Sequence, residues 1–257
     1  MTLQWSIGLM TGTVNDGYID IAALRTDGSK IVEFGPFELF PYEDKEIKKL
    51  IFKTYEEAKK WNFEGPEPYI FSITEKKITD EQSLAVEKFI NKYQFKKNDI
   101  ACVGFHGLTV LHKPANLNSN LGKTRQLGNG QIMSNYLKLP VINDFRTNDI
   151  VHGGQGAPLA PIYHLALSKF IEEKNLVFLN IGGVSNITYI GEHDDIISLD
   201  CGPGNAPIDD FVRYHNKGSM DQDGKFAKLG TVNYDLVNEF MNNNFFSIPY
   251  PKSLDRD

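Results

Sequence analysis

An α/β fold made of two related domains is predicted by three features of the chain. Short apolar runs end in glycine or acidic residues, amphipathic helical stretches separate some of them, and the order strand, strand, strand, helix occurs twice. With 257 residues, 41% of them hydrophobic, the chain carries ample apolar side chain for a core. Trp5 to Met10 is an apolar strand; the turn TGTVNDG follows, then the strand YIDIAAL, the Asp27-Gly28 turn and a third strand, IVEFGPFELF. Ile47, Leu50, Ile51, Tyr55 and Ala58 recur at helical spacing among Lys and Glu, and a second long helix ends with Val86, Phe89, Ile90 and Tyr93 on one side. Next come the strand IACVGF, a polar tip HGLTVLH, a short strand near Arg125 to Leu127, a helix from about Gln131 to Leu139 and the strand Val141 to Ile142. Pro158 is expected to open the helix that carries His164 and Phe170.

After Lys174 the pattern restarts with the strands NLVFLNIGG, VSNITYIG and DIISLDCGPGN, and a helix begins at about Ala206. This repetition predicts one domain over residues 1–170 and a second over 171–257 across a cleft. It is the ribonuclease H-like plan, which when duplicated resembles the sugar kinase, actin and heat-shock ATPase superfamily.

Charge and composition exclude several classes. A net charge of −6 without clustered Lys and Arg argues against a nucleic-acid surface, while leaving room for a local pocket for a small anion. The opening residues MTLQWSIGLMTG lack the layout of a secretory signal, and no window has the apolar length of a membrane helix, so a cytoplasmic protein is expected. Cys102 and Cys201 are too few for a disulfide framework and lack the spacing of a zinc site.

The densest chemistry lies in Asn143 to Pro158, NDFRTNDIVHGGQGAP, directly behind the apolar run LPVI. An aspartate at the carboxyl end of a central strand can face a bound hydroxyl or water and take its proton, so Asp144 is the candidate general base. The competing reading is an Asp144 that caps the next turn and pairs with Arg146. TGTVNDG and NIGGVSN are tight glycine-containing turns between adjacent strands, where backbone N–H groups can approach an anion closely. Either turn alone is more readily structural than functional, but as a pair they could hold a phosphate chain from two sides. Thr11 and Thr13 add hydroxyl donors, and Asp16 could hold a hydrated magnesium ion.

The strings IGLMTGT, GFHG, QLGNG, INDFR, GGQGAPL, LNIGG with NIT, GPGNA and PKS, in that order, resemble the anhydro-N-acetylmuramic acid kinases from about Ile7 to the last residue. The resemblance implies a sugar-kinase fold and a reaction using ATP and Mg²⁺. In it the 1,6-anhydro bond of a cell-wall muramic sugar is hydrolysed and its O6 phosphorylated, which gives N-acetylmuramic acid 6-phosphate. It places a first phosphate loop on Gly12, Thr13, Val14, Asn15, Asp16 and Gly17, continuing to Tyr18 and Ile19, and a second on Gly182, Gly183 and Asn186. Relatives have a Ser–Leu or Ser–Met pair where this chain has Val14 and Asn15, and Tyr18 is an extra residue. The catalytic aspartate falls on Asp144, where the local reading had already pointed, and burial beside Arg146 would keep its carboxylate ionised.

Other assignments follow from position. His106 and Gly107, after an apolar strand at the cleft edge, are candidate sugar-binding residues, with a capping histidine as the alternative; Arg146 and Gln155 join them, the latter on a Gly153-Gly154-Gln155-Gly156 turn that brings backbone close to substrate. Asp149 could orient Arg146 or a water. His112 and His164 read as packing or surface residues. Asp200, Gly202, Gly204 and Asn205 end the third strand of the second domain, within reach of a nucleotide or its metal. A homodimer through the helix near Val86 is possible. The family continues beyond PKS, so a chain stopping at Asp257 is expected to have an incomplete second domain. That leaves a sugar-binding fragment without productive ATP binding as one alternative. A metal-dependent nuclease using Asp16, Asp144 and Asp200 is a second, disfavoured by the acidic charge.

Overall fold

A computed structural model describes residues 2–11, 17–113 and 122–254. The chain divides into two compact units, Met1–Leu159 with Lys169–Glu172, and Ala160–Ser168 with Glu173–Asp257.

In the first unit, strands β1 (Gln4–Met10), β2 (Tyr18–Thr26) and β3 (Ile31–Pro41) form the expected antiparallel meander. Its period-2 pattern buries Ile19, Ile21 and Ala23 on one face of β2. Helices α1 (Ile47–Trp61) and α2 (Tyr69–Lys92) follow, then β4 (Ile100–Phe105), which pairs in parallel with β1. Parallel pairing needs a long crossover, and the two helices supply it. Strand β7 (Val141–Asn143) adds in parallel to β4, so the mixed sheet has the order β3-β2-β1-β4-β7. Ile7, Leu9, Val103 and Phe105 from the sheet, Ile47 and Ile51 from α1, and Phe71, Ile78, Val86 and Phe89 from α2 form one buried cluster. Val86 therefore faces the core, and its side of α2 is closed to a second copy.

Three local expectations are corrected. The HGLTVLH stretch is not a polar tip: Leu108–Lys113 forms β5, antiparallel to β6 (Lys123–Leu127), with Leu108 and Val110 buried on its inner face. Strand β7 lies at the edge of the sheet instead of its centre. Helix α5 (Pro161–Phe170) opens at Pro161 and not at Pro158, with the His164 N–H donating to the Ala160 carbonyl at 2.9 Å. Between these elements lie α3 (Gly130–Leu137) and the one-turn α4 (Thr147–Val151).

The second unit holds a second meander, β8 (Leu176–Ile181), β9 (Val184–Ile190) and β10 (Ile196–Pro203), in the order β10-β9-β8, followed by α6 (Ala206–Tyr214). Val177, Leu179 and Ile181 of β8 are 59%, 59% and 62% exposed. Among the described residues no helix is long and apolar enough to cross a membrane.

Candidate functional site

Because β1, β4 and β7 are parallel and neighbours, their carboxyl ends share one edge of the sheet. Leu9, Phe105 and Asn143 stand in register across the three strands. The next residues out are Met10 and Thr11, His106 and Gly107, and Asp144. Residues as far apart in sequence as Met10 and Asp144 are thereby brought to one edge, as expected for ligand sites in sheets with parallel strands.

Asp144 adopts φ 55°, the left-handed region that a non-glycine residue enters at a cost, and it is exposed. The Thr147 hydroxyl donates to its Oδ1 at 2.6 Å. The expected burial beside Arg146 is not what the structure has. Arg146 extends elsewhere: Nη1 donates to the Gly156 carbonyl at 2.6 Å and Nη2 to His106 Nε2 at 3.1 Å. Asp149 Oδ2 accepts the Gly156 N–H at 2.7 Å, so Arg146, just before α4, and Asp149, within it, hold the two backbone groups of the same glycine. The Gly153 to Gly156 turn folds tightly enough that a β-carbon at Gly154 would overlap the Asp149 carboxylate. This fixes the backbone on either side of Gln155.

His106 is buried, and its Nδ1 meets the Gly107 carbonyl at 3.0 Å. Burial first, and the Arg146 charge second, push its pKa down to about 4. His112 on β5 is likewise lowered to about 4 by burial and by Arg146, and its Nδ1 lies 3.1 Å from the Thr124 hydroxyl. Gly107 has φ 69°, and a β-carbon there would overlap the Leu127 carbonyl. Only glycine fits that corner without displacing β6.

Sequence reasoning missed the support behind this edge, which comes from α2. Gln82, fully buried, donates from Nε2 to the Thr11 hydroxyl at 2.6 Å and to the Tyr42 hydroxyl at 3.0 Å. Thr79 Oγ1 accepts the Asn129 N–H at 3.0 Å and Glu75 Oε1 the Gly128 N–H at 3.2 Å. The clue was available: Thr79, Gln82 and Ser83 interrupt the helix face that should be apolar throughout. Asn129 in turn caps α3 by accepting the Ile132 N–H.

Gly12, Thr13, Val14, Asn15 and Asp16 lie outside the described residues. Of the flanking positions, Gly17 has φ 95° and passes under the Lys48 side chain, Tyr18 is exposed, and Ile19 points its side chain into the core. Among the described residues no three His, Cys, Asp or Glu side chains gather as a metal site.

In the second unit the Gly182-Gly183 turn is closed by backbone hydrogen bonds. The Gly204 N–H donates to the Gly183 carbonyl at 2.9 Å and the Asn205 N–H to the Gly182 carbonyl at 2.8 Å, bringing the start of α6 against the turn. A β-carbon at Gly204 would overlap the Gly182 carbonyl oxygen. Asn186 on β9 stands between Asn180 and Asp200 in the sheet, and Gly202, at φ 151°, follows the irregularity in β10. Asp200 is tied to the end of the described chain. It is buried, and its Oδ2 accepts the Leu254 N–H at 2.7 Å while its own N–H donates to the Lys252 carbonyl at 3.1 Å. One of the three carboxylates a nuclease would need is thus committed to fastening the PKS segment. His164 packs as expected, stacked on Phe178 with ring centroids 4.7 Å apart and bonded to Thr188.

Residues 4–257 match the family model described as anhydro-N-acetylmuramic acid kinase. The chain belongs to the anhydro-N-acetylmuramic acid kinase family. A family member from Brucella anthropi is 48% identical over 253 residues, which cover 98% of this chain and 68% of that protein. One from Rhizobium rhizogenes is 46% identical over 98% of this chain and 68% of its own length. An anhydro-N-acetylmuramic acid kinase 2 from Jannaschia sp. is 47% identical over 99% and 67%. The chain therefore spans about two thirds of the length of these relatives. Among solved structures, a reductive activator for a corrinoid, iron-sulfur protein is 9% identical with a TM-score of 0.40 over 78% of this chain and 31% of that one. The family match spans both the carboxyl-end cluster of the first unit and the glycine turn of the second.

Proposed function

We propose that this chain performs the reaction for which its relatives are named, as an ATP-dependent kinase of 1,6-anhydro-N-acetylmuramic acid in cytoplasmic recycling of cell-wall sugars. The observation that carries the reading is the register of β1, β4 and β7, which gathers Thr11, His106, Gly107 and Asp144 at one edge. Asp144 is the general base. With Oδ1 held by Thr147, Oδ2 takes a proton from water as that water attacks the anomeric carbon. The C1–O6 bond breaks, O6 attacks the γ-phosphorus of ATP, and ADP leaves. Arg146 and the turn bearing Gln155 hold the sugar.

The fold proposed with this chemistry is a pair of ribonuclease H-like domains, 1–170 and 171–257, on either side of a cleft. ATP's phosphates would lie against residues 12–19 from one domain and Gly182, Gly183, Asn186, Gly202, Gly204 and Asn205 from the other. Asp16 is the proposed holder of a hydrated magnesium ion, which would supply charge neutralisation on the phosphates. Incubation with ATP, Mg²⁺ and the anhydro-sugar should give N-acetylmuramic acid 6-phosphate by mass spectrometry. Binding of both ligands without that product would overturn the proposal.

A second reading, sugar binding without productive ATP binding, is favoured by the open apolar strand β8. Calorimetry separates the two: heat on adding sugar but none on adding ATP supports the second.

A further inference from the structure

His106 is 8% exposed and both of its ring nitrogens are engaged by the protein. A carbonyl oxygen can only accept, so Nδ1, at 3.0 Å from the Gly107 carbonyl, carries the proton. A guanidinium can only donate, so Nε2, at 3.1 Å from Arg146 Nη2, presents its lone pair. Both neighbours select the same neutral tautomer. The corner that supplies the Gly107 carbonyl is itself fixed, because a β-carbon at Gly107 would overlap the Leu127 carbonyl. Arg146 is held at its other end by the Gly156 carbonyl at 2.6 Å. A chain of contacts thus runs from the end of β4 through the imidazole to the guanidinium and on to the turn bearing Gln155.

We infer that His106 is a positioning residue for Arg146 and not a ligand of the sugar: the Nδ1–H imidazole orients the guanidinium that meets substrate. The inference rests on the proposed function in taking Arg146 as a sugar-binding side chain. It changes the expected part of His106, whose two nitrogens are already used within the protein. The charged group facing the ring is Arg146, from the segment after β7, and it also lowers His112 on β5. A protonated His106 would turn an N–H toward the guanidinium and lose the contact, which burial and that charge oppose.

The test combines kinetics with ring-nitrogen NMR. His106→Leu removes the acceptor at similar volume and should raise the KM for the anhydro-sugar about tenfold, with the KM for ATP unchanged. His106→Gln, whose Oε1 can accept from Arg146, should recover most of that loss. The double variant His106→Leu/Arg146→Met should bind sugar no worse than Arg146→Met alone; independent, multiplying losses would show direct contact of His106 with sugar and overturn the inference. Nitrogen NMR of the unliganded wild-type chain should find His106 protonated on Nδ1 and neutral at pH 6. The opposite tautomer, or an ordinary titration, overturns the inference whatever the kinetics. Absence of the phosphorylated sugar from wild type, together with the expected NMR tautomer, would sink the kinase reading while supporting the placement of His106.

Discussion

The two regions assigned to the reaction are built by different means. At the carboxyl ends of β1, β4 and β7, side chains hold side chains and loops: His106 holds Arg146, Arg146 and Asp149 hold Gly156, and Thr147 holds Asp144. At the Gly182-Gly183 turn, backbone holds backbone, and Gly204 leaves no room for a β-carbon. The first region is therefore sensitive to the removal of polar atoms and to pH, and the second to the addition of a methyl group. Proton transfer needs a placed titratable group, whereas a phosphate chain can be met by N–H groups alone.

The largest effect that separates the regions is Asp144→Asn, which should lower kcat by about 10²- to 10⁴-fold while both ligands still bind; steady-state kinetics beside calorimetry reads it. Acid should act next, and on the first region. The unfolded His106 ring takes its proton near pH 6.5 and the folded ring only near 4. Its contribution is complete above pH 6.5, is lost as pH falls from 6.5 to 4, and amounts to about 3 kcal/mol. Denaturant titrations across that range should show the loss in wild type and a shallower one in His106→Gln. Gly204→Ala should destabilise the second unit by roughly 2 kcal/mol and weaken ATP binding with sugar affinity unchanged. Equal weakening of both ligands would break the division of labour. The smallest change expected is Thr147→Val, which removes one hydrogen bond to Asp144 and should slow kcat by roughly fivefold at about 1 kcal/mol, with KM values unchanged.

Much of this was legible in the sequence where local rules govern. Short apolar runs separated by glycine turns marked the β1 to β3 meander, and an apolar run ending in charge placed Asp144 just past a strand. Asp144 does follow a strand, but that strand lies at the sheet's edge, and Arg146 bonds to partners 40 residues earlier and 10 later. HGLTVLH looked polar because of its two histidines, one just before the strand and one within it, and its pairing partner lies beyond a connection of several residues. The contacts of Gln82 with Thr11 and of Thr79 with Asn129 join positions 71 and 50 apart. No local pattern encodes such distances. Asp200 looked like a ligand because it ends a strand, and the segment that claims its carboxylate arrives 54 residues later.

The central claim is that one carboxylate serves ring opening and phosphoryl transfer together, and product analysis with and without ATP tests it most directly. The account predicts one ADP for each N-acetylmuramic acid 6-phosphate formed, and no ring opening when ATP is withheld. Free N-acetylmuramic acid accumulating without ATP would contradict it.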